Sequence, residues 1–314
     1  MKPKLHPFMR FEHNPILTRE DIPYPCNTVF NAAACKFNGQ YLLLLRVEDL
    51  RGHSHLTLAR SDDGYHFEVD KEPWIVPSED PEIEVYERYG VEDPRITQMD
   101  DTYFITYTAY GPYGPRAAIG YTKDFESFQR ISMISVPDDK DAVLFPEKIG
   151  GNYAVLNRPQ GLGGEKGAIW ITYSPDLVYW GKSRLILGPE PGWGPSKVGM
   201  CIPPLKTDEG WLAIYHGVRE TGGGRIYRIG AMLLDLDNPE SVLGYTPHFI
   251  FGPEFPYERT GDVQNVVFPC GGVVEEDGTL KMYYGAADTC IALAEARIED
   301  LIELCLMGIR EEKS

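Results

Sequence analysis

The sequence predicts an all-β fold, a five-bladed β-propeller with a short C-terminal helix. Three observations predict it: an acidic turn that recurs at near-constant spacing, a strand-like run before each recurrence, and little helical periodicity. The turn follows a β-rich stretch in LARSDDGYHF (58–67), GYTKDFESF (120–128) and TYSPDLVYW (172–180), and more weakly in LLDLDNPESV (233–242) and LAEARIEDL (293–301). Counted on Asp63, Asp124, Asp176, Asp237 and Asp300, the spacings are 61, 52, 61 and 63 residues, so five units account for the 314-residue chain. The runs that precede them are 41–46 (YLLLLR), 102–108 (TYFITYT), 153–156 (YAVL), 211–215 (WLAIY) and 280–284 (LKMYY). Radial repetition of four-stranded units describes a propeller, and five blades fall in the usual range. A long β-sandwich is the alternative, and the regular period argues against it. No linker divides the chain, so residues 1–314 are expected to form one domain. Its tail, residues 297–310, reads as a helix, because Ile298, Leu301, Ile302 and Cys305 share one face. That helix is expected to pack on the propeller or on a partner subunit, which hints at a homo-oligomer.

A net charge of −17 repels phosphate backbones, so nucleic acid is not expected as a partner. The same acidity makes local clusters of Arg and Lys informative. None of the six cysteines forms a C-x-x-C pair, which argues against a metal knuckle. No apolar run is long enough for a membrane span, and the N-terminal stretch lacks the apolar core of a signal peptide. A cytoplasmic protein with reduced thiols is the expectation.

Candidate chemistry sits in two groups of residues. The first is GVEDPR (90–95), where two adjacent carboxylates precede Pro94 and Arg95 follows. Proline biases Asp93 towards an extended conformation, so Glu92 and Asp93 are expected on opposite sides, one facing the central channel. The bland alternative is an ordinary Asp-Pro turn. The second group is Arg46, Lys140, Arg158, Lys197, His216 and Tyr227. Arg46, Arg158 and His216 each follow an apolar strand at similar points of three units. If those strands are innermost, the three side chains converge. Arginine forks and a histidine suit an oxyanion such as phosphate; singly, each is as readily explained by a local ion pair. His216 has no second histidine at ligand spacing, so a metal is not expected. The 222–224 triple glycine reads as a hairpin tip. The loops at 110–115 (YGPYGP) and 189–195 (PEPGWGP) are placed to rim an acceptor site.

Seven stretches, taken together, resemble glycoside hydrolase family 130, the inverting β-mannoside phosphorylases. They are 27–32 (NTVFNA), 45–48 (LRVE), 91–95 (VEDPR), 144–148 (LFPEK), 157–159 (NRP), 215–217 (YHG) and 284–288 (YGAAD), in order along nearly the whole chain. The resemblance implies a five-bladed propeller, with Asp93 as the general acid. It implies that Asn31, Arg46, Lys197 and Asp288 hold the mannosyl unit, and that Lys140, Arg158, His216 and Tyr227 hold phosphate. Some members carry an arginine at position 140; Lys140 keeps the charge without the fork.

Inversion needs an acid on one face of the sugar and a nucleophile on the other. Phosphate arrives as an anion, so a cationic pocket replaces the general base. The resemblance therefore implies cleavage of β-mannosides, β-1,4-mannooligosaccharides foremost, by inorganic phosphate to α-D-mannose 1-phosphate. No cofactor is expected beyond phosphate as co-substrate, and the partners are a mannose-containing oligosaccharide and phosphate. The rivals are a hydrolase on the same fold and a non-catalytic carbohydrate-binding propeller.

Overall fold

The computed structural model describes residues 5–160, 166–189 and 192–312. These residues form five antiparallel meanders. The first comprises strands Thr28–Phe37, Gln40–Glu48 and Ser54–Ser61, with Glu68–Val69 on its outer edge. The second runs Gly90–Met99, Thr102–Gly111, Gly114–Thr122 and Gln129–Met133. The third runs Asp139–Leu144, Tyr153–Pro159, Ile169–Ser174 and Gly181–Leu187. The fourth runs Lys197–Met200, Trp211–Thr221, Gly224–Leu234 and Val242–Tyr245, with Leu205–Lys206 pairing the base of its second strand. The fifth, Val267–Val274, Thr279–Ala286 and Cys290–Arg297, takes its outer strand from the N-terminal segment Met9–Arg10.

Hydrophobic clusters fill the spaces between neighbours: first with second, second with third, third with fourth, and fourth with fifth. A further cluster packs the fifth back on the first. The uninterrupted leucine run follows from this arrangement. Leu42 and Leu44 face the second meander while Leu43 and Leu45 face the fifth, so the strand is buried on both sides and shows no polar alternation. The leading strands of the fifth and first meanders touch backbone to backbone. A Cβ on Gly271 would collide with the main chain of Ala32, Ala33 and Ala34.

The recurring aspartate closes a turn in the first three meanders. Asp63 Oδ1 accepts from the N–H of Tyr65 (2.8 Å) and His66 (2.9 Å). Asp124 does the same for Glu126 and Ser127, and Asp176 for Val178 and Tyr179. In the fourth the role passes from the expected Asp237 to Asp235, which takes the N–H of Asp237 (3.0 Å) and Asn238 (2.8 Å). Asp237 is disqualified because the residue two ahead is Pro239, which has no N–H to give. Asp300 lies in the terminal helix, Ile298–Glu312, and closes no turn. Leu301, Ile302 and Cys305 are buried by that helix in the cluster between the fourth and fifth meanders. The helix therefore packs on the body of the protein.

Two short helices escaped the sequence reading, Pro81–Glu87 and Pro256–Arg259. Among the described residues, no helix is long and apolar enough to cross a membrane. All six cysteines are free.

Gly271→Ala is expected to destabilise the protein by about 1–3 kcal/mol through overpacking where the fifth meander meets the first. Gly222→Ala, at an open hairpin tip with nothing near its Cβ, is expected to change little. Urea midpoints of the two variants check this.

Candidate active site

The leading strands of the first three meanders share one irregularity. Their register slips between Phe30 and Ala33, between Glu92 and Arg95, and between Lys140 and Val143. Each slip holds a non-glycine residue with left-handed backbone: Asn31 (φ 50), Asp93 (φ 48) and Asp141 (φ 59). Asn and Asp tolerate this conformation better than other side chains, and a bulge re-aims the residue it carries. All three side chains are buried.

The neighbouring second strands supply the cations. Arg46 pairs in register with Phe30, Arg158 with Lys140, and His216 with Gly199. The three hold matching places in their units, as expected. They do not come from innermost strands: the leading strands pack against one another, and the cations reach in from the next strand out.

One cluster surrounds Asp93. Its Oδ1 accepts from Asn31 Nδ2 (2.8 Å) and from Arg46 (2.8 Å). Arg46 also pairs with Glu92 (3.1 Å), and Lys140 Nζ reaches the other Glu92 oxygen (3.0 Å). Glu92 and Asp93 thus meet the same arginine rather than pointing apart, because the bulge breaks the strict alternation of the strand. Burial pushes the Asp93 carboxyl up, but Arg46, Lys140, Arg95 and the Asn31 amide outweigh it and hold the carboxyl at about 2. Asp288, also left-handed (φ 51), behaves in the opposite way. Burial, with Asp93 and Glu92 nearby, lifts it to about 7 against the pull of Arg46 and Lys140. The two carboxyls respond to each other, so the pair retains one proton up to near-neutral pH.

The other cluster surrounds Asp141, which stays well below the usual carboxylate range; burial opposes this, while Arg158, His216 and Arg95 drive it. Arg158 Nε donates to Asp141 Oδ2 (2.7 Å), and His216 Nε2 lies 3.6 Å from the same oxygen. The His216 ring sits 4.8 Å from Phe268 and 5.8 Å from Tyr227, centroid to centroid. Burial pulls His216 down to about 3, so the ring is neutral. Lys197 lies 5.6 Å over the Tyr227 ring and makes no ion pair among the described residues. Burial, with Arg158, Arg225 and Lys140 adding repulsion, lowers Lys197 to about 8. Arg95, Arg158 and Lys197 against Asp141 leave a surplus of positive charge. Such a pocket attracts an anion.

Arg95 joins the clusters. It donates to the Asp93 carbonyl (2.8 Å) and to the Cys201 and Met200 carbonyls (3.1 and 3.3 Å), and pairs with Asp141 (3.4 Å).

The structure thus gathers Asn31, Arg46 and Asp288 about Asp93, and Arg158, His216, Tyr227 and Lys197 about Asp141. Lys140 departs from its expected company, since its partner is Glu92. From sequence, Arg95 is named only as part of GVEDPR (90–95), without a role of its own, and Asp141 is not singled out. The signals were present in EDPR (92–95) and in DKD (139–141), where charged residues crowd a strand. Of the loops expected to rim an acceptor site, the 110–115 hairpin leaves Tyr113 exposed. In the other, Glu190 and Pro191 lie outside the described residues, and Trp193 packs against Gly217 and Gly230.

The family profile described as β-1,4-mannooligosaccharide phosphorylase matches residues 7–307. A β-1,4-mannooligosaccharide phosphorylase from Ruminococcus albus is 35% identical over 301 residues, 94% of this chain and 89% of that one. A β-1,2-mannobiose phosphorylase from Listeria innocua is 35% identical over 93% of this chain and 97% of its own. A solved structure of a β-1,2-mannobiose phosphorylase from Listeria innocua in complex with β-1,2-mannobiose superposes with a TM-score of 0.87 at 34% identity, covering 96% of this chain and 99% of that one. An acid cluster joined to an anion pocket, on a chain so matched, is that of a glycoside phosphorylase. The chain belongs to glycoside hydrolase family 130.

A Cβ on Gly199 would strike the Asp141 carboxylate and come within 2.7 Å of His216 and 3.0 Å of Arg158. Gly199→Ala is therefore expected to raise the KM for phosphate at least tenfold while sparing the fold, read from initial rates and far-UV circular dichroism. Asp288 is neutral when folded at pH values where an unfolded aspartate is already ionised. Its contribution to stability is thus present below about pH 4 and fades as pH rises through about 7. Denaturation midpoints are expected to fall over that window, and Asp288→Asn to flatten the slope.

Proposed function

We propose that the protein cleaves β-mannosides with inorganic phosphate, inverting the anomeric centre and releasing α-D-mannose 1-phosphate and a shortened sugar. The observation that carries this reading is a buried carboxyl, Asp93, clamped by Asn31 and Arg46 and set across the Arg95 bridge from a pocket with surplus positive charge. A hydrolase needs a base beside its water. Here the place of that base is taken by Arg158, Lys197 and neutral His216, with Tyr227 at the edge.

In this reading Asn31, Arg46, Lys197 and Asp288 orient the mannosyl unit. A phosphate oxygen, held by Arg158, His216 and Tyr227 and drawn by Lys140, attacks the anomeric carbon from the face opposite the leaving group. The glycosidic C–O bond breaks as Asp93 delivers a proton to its oxygen through the mannose 3-hydroxyl. Asp93 by itself is ionised at neutral pH while Asp288 still holds a proton, so in this reading Asp93 first takes up the Asp288 proton and then passes it on. The tight Arg46 contact orients the carboxyl, and the sugar displaces water from around it and raises its hold on the proton. No cofactor enters beyond phosphate.

The five meanders, packed first to last and last to first, support reading the whole chain as one five-bladed propeller domain with the site on its axis. For the linkage we favour β-1,4-mannooligosaccharides, on the description of the matching family profile and the Ruminococcus albus relative; the Listeria innocua relative acts on the β-1,2 bond.

Reverse synthesis tests both points. With α-D-mannose 1-phosphate and a panel of mannose, glucose and N-acetylglucosamine acceptors, the expected product is a β-1,4-linked mannoside, identified by NMR. Release of free mannose at equal rate without phosphate would instead mark a hydrolase. Asp93→Asn is expected to lower kcat by about 10²–10⁴-fold with sugar affinity retained. Arg158→Lys is expected to raise the KM for phosphate at least tenfold, because the lysine cannot fork.

A further inference from the structure

A cleft of about 750 Å³ opens on the flank of the third meander, outside the cluster just described. Its floor is a ladder of polar side chains, one from each strand. Asn157 Nδ2 donates to Asp139 Oδ2 (2.6 Å), the Thr172 hydroxyl donates to Asn157 Oδ1 (3.1 Å), and the Thr172 and Ser183 hydroxyls lie 3.0 Å apart. Asp139 and Asn157 alternate with Lys140 and Arg158, so they point to the other side of the sheet from the anion pocket.

The ladder leaves part of its floor unsatisfied. Asp139 is almost wholly buried, and neither its Oδ1 nor the buried Ser135 Oγ beside it on the same cleft wall closes a hydrogen bond of normal geometry. Buried polar atoms without partners are uncommon and call for a contact outside the chain. Burial raises Asp139 to about 6, moderated by Ser135, Asn157 and Arg158, so near neutral pH its free oxygen accepts and at lower pH it donates. The walls are apolar. Trp180 commits its indole N–H to Ser132 Oγ (3.2 Å) and the Leu177 carbonyl (3.1 Å), which leaves the ring to face the cleft. Trp170 and the exposed Leu185 complete the wall.

Aromatic walls over a floor of unpaired hydroxyl and carboxyl oxygens suit a neutral polyhydroxylated ring. Such a ring offers an apolar C–H face on one side and hydroxyl donors at its edge. An anion finds little counter-charge here, since Lys166 is the cation among the described lining residues and it points to solvent. We propose that this cleft is a second carbohydrate-binding site, separate from the catalytic one. It takes pyranose units of a neutral oligosaccharide, with a ring on Trp170 and hydroxyls on Asp139 Oδ1 and Ser135 Oγ. The cleft then holds a long chain beside the propeller while its end is processed. The β-mannoside reading enters only in the choice of probe.

Calorimetric titration of the full chain with β-1,4-mannotetraose in phosphate-free buffer tests this. The wild type is expected to bind two molecules per chain. Trp170→Ala removes one of them and leaves turnover of mannobiose within about twofold. Asp139→Asn weakens the same site severalfold, and Arg46→Ala removes the other. Leu185→Arg, at an exposed position on the wall, blocks the cleft without touching its polar floor and serves if Trp170→Ala does not fold. One site in the wild type that Arg46→Ala abolishes, or two sites that both survive Trp170→Ala and Leu185→Arg, would overturn the proposal. Failure of the β-mannoside reading looks different: no turnover and no loss on Arg46→Ala, with the cleft still read by Trp170→Ala.

Discussion

The Arg95 guanidinium is the contact on which the site depends. Its side chain is 1% exposed, so its charge has almost no water and must be met by protein. It is met from four meanders: Asp93 of its own, Asp141 of the third, the Met200 and Cys201 carbonyls of the fourth, and the Phe268 ring of the fifth, 5.6 Å away. Burying an ion this deeply is costly, and an apolar residue of similar size often serves stability as well or better. The arrangement makes sense as positioning. One rigid, planar donor set fixes the backbone of Asp93 and the Asp141 carboxylate at the centre of the anion pocket, so neither can drift relative to the other.

Asp141 has the complementary part. A pocket of Arg95, Arg158 and Lys197 would repel itself apart without a carboxylate at its centre. One acid limits the repulsion without cancelling it, and a surplus of positive charge remains to hold an anion. The setting sharpens the effect. The chain carries a net charge of −17, so a phosphate approaching the outer surface is opposed and gains only on reaching the interior. Electrostatics here selects the place where an anion can stay rather than hastening its arrival.

Much of the fold is legible in the sequence, and the reasons are local. The second strands announce themselves as apolar runs because they are buried on both faces, and the Asx turns recur because each needs a side-chain oxygen ahead of two free N–H groups. The misplaced anchor at Asp237 shows the limit of the pattern, since the decisive fact was the missing N–H of Pro239. Arg46, Arg158 and His216 were legible as a group because register repeats from unit to unit. Asp141 and Arg95 were not. What distinguishes Asp141 is a left-handed backbone inside a bulge, and what distinguishes Arg95 is a set of partners as far along the chain as Cys201 and Phe268. Charged residues crowd both strands, but neither property can be read from that crowding. The pairing of Lys140 with Glu92 belongs to the same class, because the bulge that turns Glu92 towards Arg46 is a three-dimensional fact.

The outer edge of the last sheet is made by the beginning of the chain, with Met9 opposite Glu295 and Arg10 opposite Ala294. Met9–Arg10 is synthesised long before its partner and stays unpaired until Cys290–Arg297 has been made. Until then the Cys290–Arg297 edge does not exist, and the early strands have no neighbour on one flank. Contacts of such long sequence separation slow folding and lengthen the time an open edge is available for pairing with another chain. The seam that locks the finished molecule is thus also the point at which its birth is most exposed to aggregation.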